Sequence, residues 1–559
     1  MIRPRWNSRA LFQSSTRAAA AARVLLLMLF YAGLTAAVTY PQVRVLDRAI
    51  PNMVDGYFNI WRLAWIAHQL PRHPFELFDA NIFYPERYTL AFSDALLAPG
   101  LVAAPLFWLH GNPVLIYNIV FLLGFALSGM ATYLLVADLT ANRTAALIAG
   151  AFFVCAPYRF DHWVHLEMQL TMFMPVALWA LHLTIRTRRW RWALVLAAAF
   201  ALQVFCCIYY GIFLIPILFV VAALLIAVEA RQQIGRVLVL LAGAGAVAAV
   251  LVVPYMLPYL AARRAVGERP EEAVLYYSAI PKDYLAGRPD NWLYSGRLTA
   301  TNHEERHLFP GLALLVCVAA ALWPPVSRTA ALYAAACATA FEASLGLHGY
   351  LFHWLRAWVL PFQGIRVPAR FGMFVALLLA VLAGCGIARV ARLMPARGRV
   401  ALTAALVIVM ILEAWTRVPL ATVMTTPSPV DLWLRHHRRS VIVELPLPPP
   451  NAPFQESEGQ PLYHSIFHWQ PILNGTSGFF PASYLELLSR MESFPSGQSI
   501  QYLKTRGVRY VVMREYMFES DAFTRLRDRL AREPALDLVG RFAERNGESL
   551  VFETRQGGD

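Results

Sequence analysis

The chain has 559 residues, 58% of them hydrophobic and only 15% charged, whereas a soluble protein of ordinary composition is about a quarter charged. The net charge of +14 comes almost wholly from arginine, since Lys282 and Lys504 are the only lysines. The arginines stand between apolar runs, not on one basic face, which excludes nucleic-acid binding and points to loops held on the cytoplasmic side of a membrane.

Arg3, Arg5, Arg9, Arg17 and Arg23 precede the first apolar run, 24–38, which reads as a retained first helix and not as a cleaved signal. Further runs at 115–136, 172–183, 193–209, 212–228, 237–257, 371–388 and 400–412 approach the length that crosses a bilayer. Arg186, Arg188, Arg189 and Arg191 form a second basic cluster, Arg231 and Arg236 a third, and Arg389, Arg392, Arg397 and Arg399 a fourth. If every cluster is cytoplasmic, the spans between clusters come in even numbers. That parity makes 96–108, broken by Pro99 and Pro105, an interfacial or re-entrant helix, and it leaves about eleven spans. Residues 39–94, 158–167, 261–308 and 345–370 then face outward, and so does the tail. All six cysteines fall in apolar segments, with no CxxC pair and no disulfide framework.

From residue 417 the character changes. SVIVEL at 440–445 reads as a buried strand, 484–492 and 521–532 as helices, and 499–505 as a short helix stopped by Gly507 before a strand at 508–513. Asn546-Gly547 predicts a hairpin turn between strands at 537–542 and 549–553. The fold class is therefore mainly α: a polytopic transmembrane bundle over 1–416 followed by a soluble α/β domain over 417–559.

The outward segments carry the residues suited to chemistry. Asp55 follows the first span closely, where a carboxylate can take a proton from a hydroxyl or hold a metal against a phosphate. The segment 158–167 holds Arg159, Asp161, His162, His165 and Glu167. If it is helical, Asp161 and His165 share a face, with His162 beside them. Asn302, His303, Glu304, Glu305, Arg306 and His307 offer a third acidic arm. Arg366 and Arg370 lie outside against the charge rule, and the choice is between a phosphate partner and an ion pair with a loop acid. Asn474-Gly475-Thr476 matches a glycosylation sequon. No Walker loop, dinucleotide fingerprint, GxSxG or HExxH is present.

Several phrases together resemble the GT-C class of polytopic glycosyltransferases, in particular bacterial members: APYRFDHWVHLE, MPVALWAL, HLFPGL, GIRVPARF, VIVELPL, HWQPILNGTSGF and GVRYVVM. The resemblance spans most of the chain. It implies a polyprenyl-phosphate-linked sugar donor and a cell-envelope glycan, lipid or protein acceptor. It also implies a bacterial inner-membrane location with the N-terminus cytoplasmic and the C-terminal domain periplasmic. Asp55 matches the first-loop catalytic aspartate. Arg159, Asp161, His162, His165, Glu167, Glu304, Glu305, Arg366 and Arg370 are the residues expected to bind substrate and phosphate. A divalent metal is a candidate cofactor, with Asp55 and Glu167 as candidate ligands. The sequence departs from the class where two adjacent first-loop acids are common, because Asp55 is followed by Gly56. A transporter or lipid flippase, and a non-catalytic scaffold on the same fold, are the competing readings.

Overall fold

The computed structural model describes residues 17–51, 53–266, 270–298, 301, 303–453 and 458–555. Arg3, Arg5, Arg9 and Asn302 lie outside the described residues. The chain divides into two compact units, one of Met1–Arg44, Ile119–Pro254 and Glu268–Val418, the other of Val45–Asn118, Tyr255–Gly267 and Pro419–Asp559.

Among the described residues, six helices are long and apolar enough to cross a membrane: Ala18–Val38, Pro113–Thr140, Leu166–Thr187, Ile208–Glu229, Arg231–Arg263 and Pro368–Ala391. The runs 193–209 and 400–412 fall largely on the shorter helices Trp190–Cys206 and Ala396–Ala414, and Arg143–Val154, Leu312–Leu322 and Arg328–Ser344 are further helices of the chain. The chain is a helical membrane protein.

In the first unit, Pro368–Ala391 is the most enclosed span. Its helical part packs against Leu312–Leu322, Arg328–Ser344 and Arg143–Val154. Gly386 allows one of these approaches, because a Cβ there would lie 2.0 Å from the Cys317 carbonyl oxygen. Glu342, the acid that looks most deeply placed in the sequence, receives backbone N–H groups of Tyr350 and Leu351, the latter 3.0 Å from each carboxylate oxygen. It therefore secures the start of the helix Leu351–Trp358.

The second unit is built around the helix Val54–Gln69, which packs on both Leu97–Leu109 and Gly459–His468. A Cβ on Gly100 would meet Ile66 Cδ1 at 2.3 Å, so this crossing is close. Tyr57 and Tyr463 have ring centroids 4.8 Å apart, and His68 stacks on Trp469 at 4.0 Å. The histidines and aromatics of 463–469 thus form a packing face. β1 (Ala49–Ile50) pairs antiparallel with β2 (Ala421–Thr422). Four strands follow, β3 (Val441–Leu445), β4 (Val508–Arg514), β5 (Leu536–Glu544) and β6 (Gly547–Thr554), in the order β3-β4-β6-β5. β3 and β4 are parallel and the other pairs antiparallel, with a register shift between Leu538 and Gly540. Gly507 and Gly547 take φ of +71° and +119°, which is why glycine serves at these two turns.

The tail strands β3 to β6 and the helices Ala482–Met491, Gly497–Thr505 and Ser520–Leu530 lie where hydrophobic periodicity and turn residues predicted them, and the helices Pro429–His436 and Gly459–His468 are additional. The sequon does not present a usable asparagine. Asn474 is fully buried, its side chain accepting from Glu444 N–H and donating to Glu444 C=O, both at 2.8 Å.

Beneath the sheet, Arg514 contacts Glu444 at 3.0 Å and Asp431 at 2.6 Å and donates to Ser428 Oγ at 3.1 Å. His464 meets Asp431 at 3.1 Å through Nδ1 and Tyr516 Oη at 2.5 Å through Nε2. Burial alone would raise the Asp431 pKa. Arg514 and His464 outweigh it and hold the carboxyl well below the usual range.

Candidate active site

The segment 157–165 is not one helix. Pro157 starts a turn that ends at Asp161, and His162 leaves helical geometry at φ −108°, ψ 34°. Two contacts stop it. Gln169 Nε2 donates to the carbonyls of Arg159 at 3.1 Å and His162 at 2.7 Å, occupying acceptors that further helix would need. Trp163, buried, stacks on Phe121 at 5.7 Å and pulls the chain aside. The shared helical face expected of Asp161 and His165 therefore does not exist. His162 and His165 still lie near one another, with ring centroids 5.5 Å apart.

These histidines meet residues from two distant segments. Arg370, at the first turn of the span Pro368–Ala391, grips Glu305: Nη2 is 2.5 Å from Oε1, and Nε is 3.0 Å from Oε1 and 3.2 Å from Oε2. Arg370 Nη2 also lies 3.4 Å from His165 Nε2, and its guanidinium sits 5.4 Å above the Tyr209 ring. Glu305 Oε2 receives the Tyr158 hydroxyl at 3.3 Å and stands 3.5 Å from His162 Nε2. Burial raises the Glu305 pKa, but the Arg370 guanidinium outweighs it and the carboxyl stays ionised well below the ordinary range. Burial lowers His162 to about 3 despite the opposing charge of Glu305, so its imidazole is neutral.

The loop carrying Glu305 is fastened on both sides. Arg306 forms a two-point ion pair with Asp283, at 2.6 and 3.2 Å. His307 places Nδ1 2.9 Å from Asp161 Oδ1 and Nε2 3.0 Å from the Thr301 carbonyl. Both partners of His307 are acceptors, which suits an imidazolium. Burial opposes that charge, yet the hydrogen bond and charge of Asp161 win, and the His307 pKa is raised. Arg288 adds to this edge, 3.7 Å from Asp161.

The other expected residues stand differently. Arg159 is fully buried, its guanidinium 4.5 Å from the Phe153 ring centroid and 5.1 Å from that of Phe125. It donates to Thr171 and to the Gln169 carbonyl, which makes it a structural residue. Glu167 is buried in the first turn of Leu166–Gln169, and Glu304 is exposed. Arg366 is half-buried, 5.1 Å over the Tyr277 ring, with its backbone N–H on Tyr209 Oη at 3.1 Å. The ion-pair alternative thus holds for Arg370 and not for Arg366. Among the described residues no group of three or more His, Cys, Asp or Glu is arranged to hold a metal ion.

In the second unit, Asp55 is half-exposed in the first turn of Val54–Gln69, where the helix dipole favours negative charge. Gly56 has a packing reason. A Cβ there would come 2.5 Å from Ile50 Cδ1 and 3.4 Å from Cγ1, so the position is closed to a second carboxylate unless Ile50 repacks. One helical face below Asp55 are Asn59 and Arg62, both buried. Arg62 donates to Asn59 Oδ1 and, at 2.5 Å, to the Asp94 carbonyl.

No family model matches the chain, and none of the curated proteins does. Solved structures resemble it. One is ArnT from Cupriavidus metallidurans bound to undecaprenyl phosphate, with a TM-score of 0.49 and 13% identity, over 95% of this chain and 98% of that one. Another is the archaeal oligosaccharyltransferase AglB from Archaeoglobus fulgidus in complex with an inhibitory peptide and a dolichol-phosphate, with a TM-score of 0.48 and 12% identity, over 88% of this chain and 69% of that one. Likeness of that degree fixes neither reaction nor substrate.

Sequence reasoning did not single out Tyr158, Tyr209, Tyr277 or Arg288 as site residues. The phrase NHEERH did place His307 beside Glu305. The tyrosines carry no local signal, because their roles arise only when segments 50 to 200 residues apart meet.

Proposed function

We propose that the chain is a membrane glycosyltransferase that moves a sugar from a polyprenyl-phosphate donor to a hydroxyl acceptor on the periplasmic face, with inversion at the sugar. The reading rests on one observation above all. Arg370, Glu305, His162 and His165 come from three sequence segments and meet where the spans Leu166–Thr187 and Pro368–Ala391 begin. A guanidinium and imidazoles suit a phosphate held at the membrane edge, with its lipid tail left in the bilayer.

Asp55 is the general base of this proposal. Its carboxylate takes the acceptor's hydroxyl proton as the oxygen attacks the anomeric carbon. The bond from that carbon to the phosphate oxygen breaks, and the polyprenyl phosphate leaves with the electron pair, its charge met by Arg366 and Arg370. His162, neutral and buried, orients the phosphate or sugar by hydrogen bonding. A transporter reading needs a deep ionisable residue able to change partners, and Glu342 is committed to backbone donors. The test is transfer from polyprenyl-phosphate-linked sugars by the full-length protein in proteoliposomes. Transfer lost in Asp55→Asn at normal expression supports the reading, and unchanged transfer removes Asp55 from it.

A further inference from the structure

We infer that Glu305 is a resident anion on Arg370, occupying the seat that a phosphate monoester takes when substrate binds, and that it must swing aside for the site to load. This rests on the glycosyltransferase reading and deepens it.

The two oxygens of Glu305 are used unequally. Among the described residues Oε1 is bonded to Arg370, through Nε and Nη2, and Arg370 Nε also reaches Oε2 at 3.2 Å. Oε2 is shared with the Tyr158 hydroxyl and lies near His162 Nε2. A carboxylate and a phosphate present similar pairs of oxygens to a guanidinium fork, so one can replace the other in kind. A rotation that frees Arg370 leaves Glu305 with Tyr158 and His162 as partners. The backbone need not move, being pinned by Arg306 to Asp283 and by His307 to Asp161. Arg370 stays in place over Tyr209, and the half-exposed His165 marks the side from which Nη2 is approached. Without a carboxylate the empty site would bury an uncompensated cation, which is costly. The ion pair therefore keeps the unloaded protein folded and sets a threshold that only a strong anion passes.

The experiment titrates full-length protein in nanodiscs with farnesyl phosphate, farnesol and inorganic phosphate. Glu305→Gln keeps the shape and the Tyr158 contact but removes the competing charge. It is expected to bind farnesyl phosphate about tenfold more tightly than wild type and to leave farnesol unchanged. Adding Arg370→Gln should abolish that gain. Glu305→Asp, with its shorter reach, should give a smaller gain and carries the test if Glu305→Gln does not fold. An equal gain for inorganic phosphate assigns the seat to phosphate alone, and a gain confined to farnesyl phosphate assigns it to the lipid-linked form. If wild type binds farnesyl phosphate and neither variant binds it more tightly, the inference is overturned while the glycosyltransferase reading stands. If wild type binds farnesyl phosphate no better than farnesol, both fall.

Discussion

Asp161 and His307, 146 positions apart in the chain, form a buried pair with Oδ1 2.9 Å from Nδ1. This contact joins the segment before one span to the loop that carries Glu305, so it fixes where Glu305 stands. Burial pushes the Asp161 pKa up to about 6 while that of His307 is raised by the hydrogen bond and charge of Asp161, so the charged pair forms above about pH 6 and holds while His307 keeps its proton. It is lost as pH rises through the raised value. Asp161→Asn should cost ~1–3 kcal/mol near pH 7 and should flatten that dependence. Thermal unfolding of both proteins from pH 6 to 9 measures it.

Asp55→Asn, isosteric and unable to accept a proton, is expected to lower kcat about 10²–10⁴-fold with little change in Tm. A steady-state transfer assay paired with a melting curve separates the two.

Arg514 sits among Asp431, Glu444 and Ser428 with almost no exposure. Arg514→Met strands two buried carboxylates and should cost ~3–5 kcal/mol. Limited proteolysis should then cut within 419–555 faster than in wild type.

Glu458 is buried and accepts the Tyr484 hydroxyl at 2.6 Å, and burial pushes its pKa up to about 8. The folded chain holds this proton where the unfolded chain has released it, so stability falls as pH rises from about 4.5 to 8. Glu458→Gln should remove that slope and raise Tm at pH 8. Equal Tm values for the two proteins at pH 8 would contradict the assignment.

Much of the tail was legible because its strands announce themselves locally: VIVEL is apolar but for Glu444, and Gly507 and Asn546-Gly547 mark turns, whereas the helices Pro429–His436 and Gly459–His468 were not read from the sequence. The membrane helices were legible from apolar length, though the shorter ones needed the parity of arginine clusters to be counted. Arg370 was visible as an arginine on the wrong side of the charge rule. Its partner was not, because Glu304 and Glu305 are neighbours of equal charge and only the turn at Glu304–Arg306 decides which is buried. The Asp161–His165 face failed for a related reason, since Gln169 and Phe121, the latter through its stack on Trp163, override local spacing from outside the segment.

The outer strand β5 has one further consequence. Leu538 and Val539 are exposed on it, and an even ladder there would recruit a strand from another molecule. The slip between Leu538 and Gly540 breaks the repeat, and Asp537, Arg541 and Glu544 set charge along it. The exposed strand thereby resists edge-to-edge polymerisation with further copies of the chain while the protein is being made.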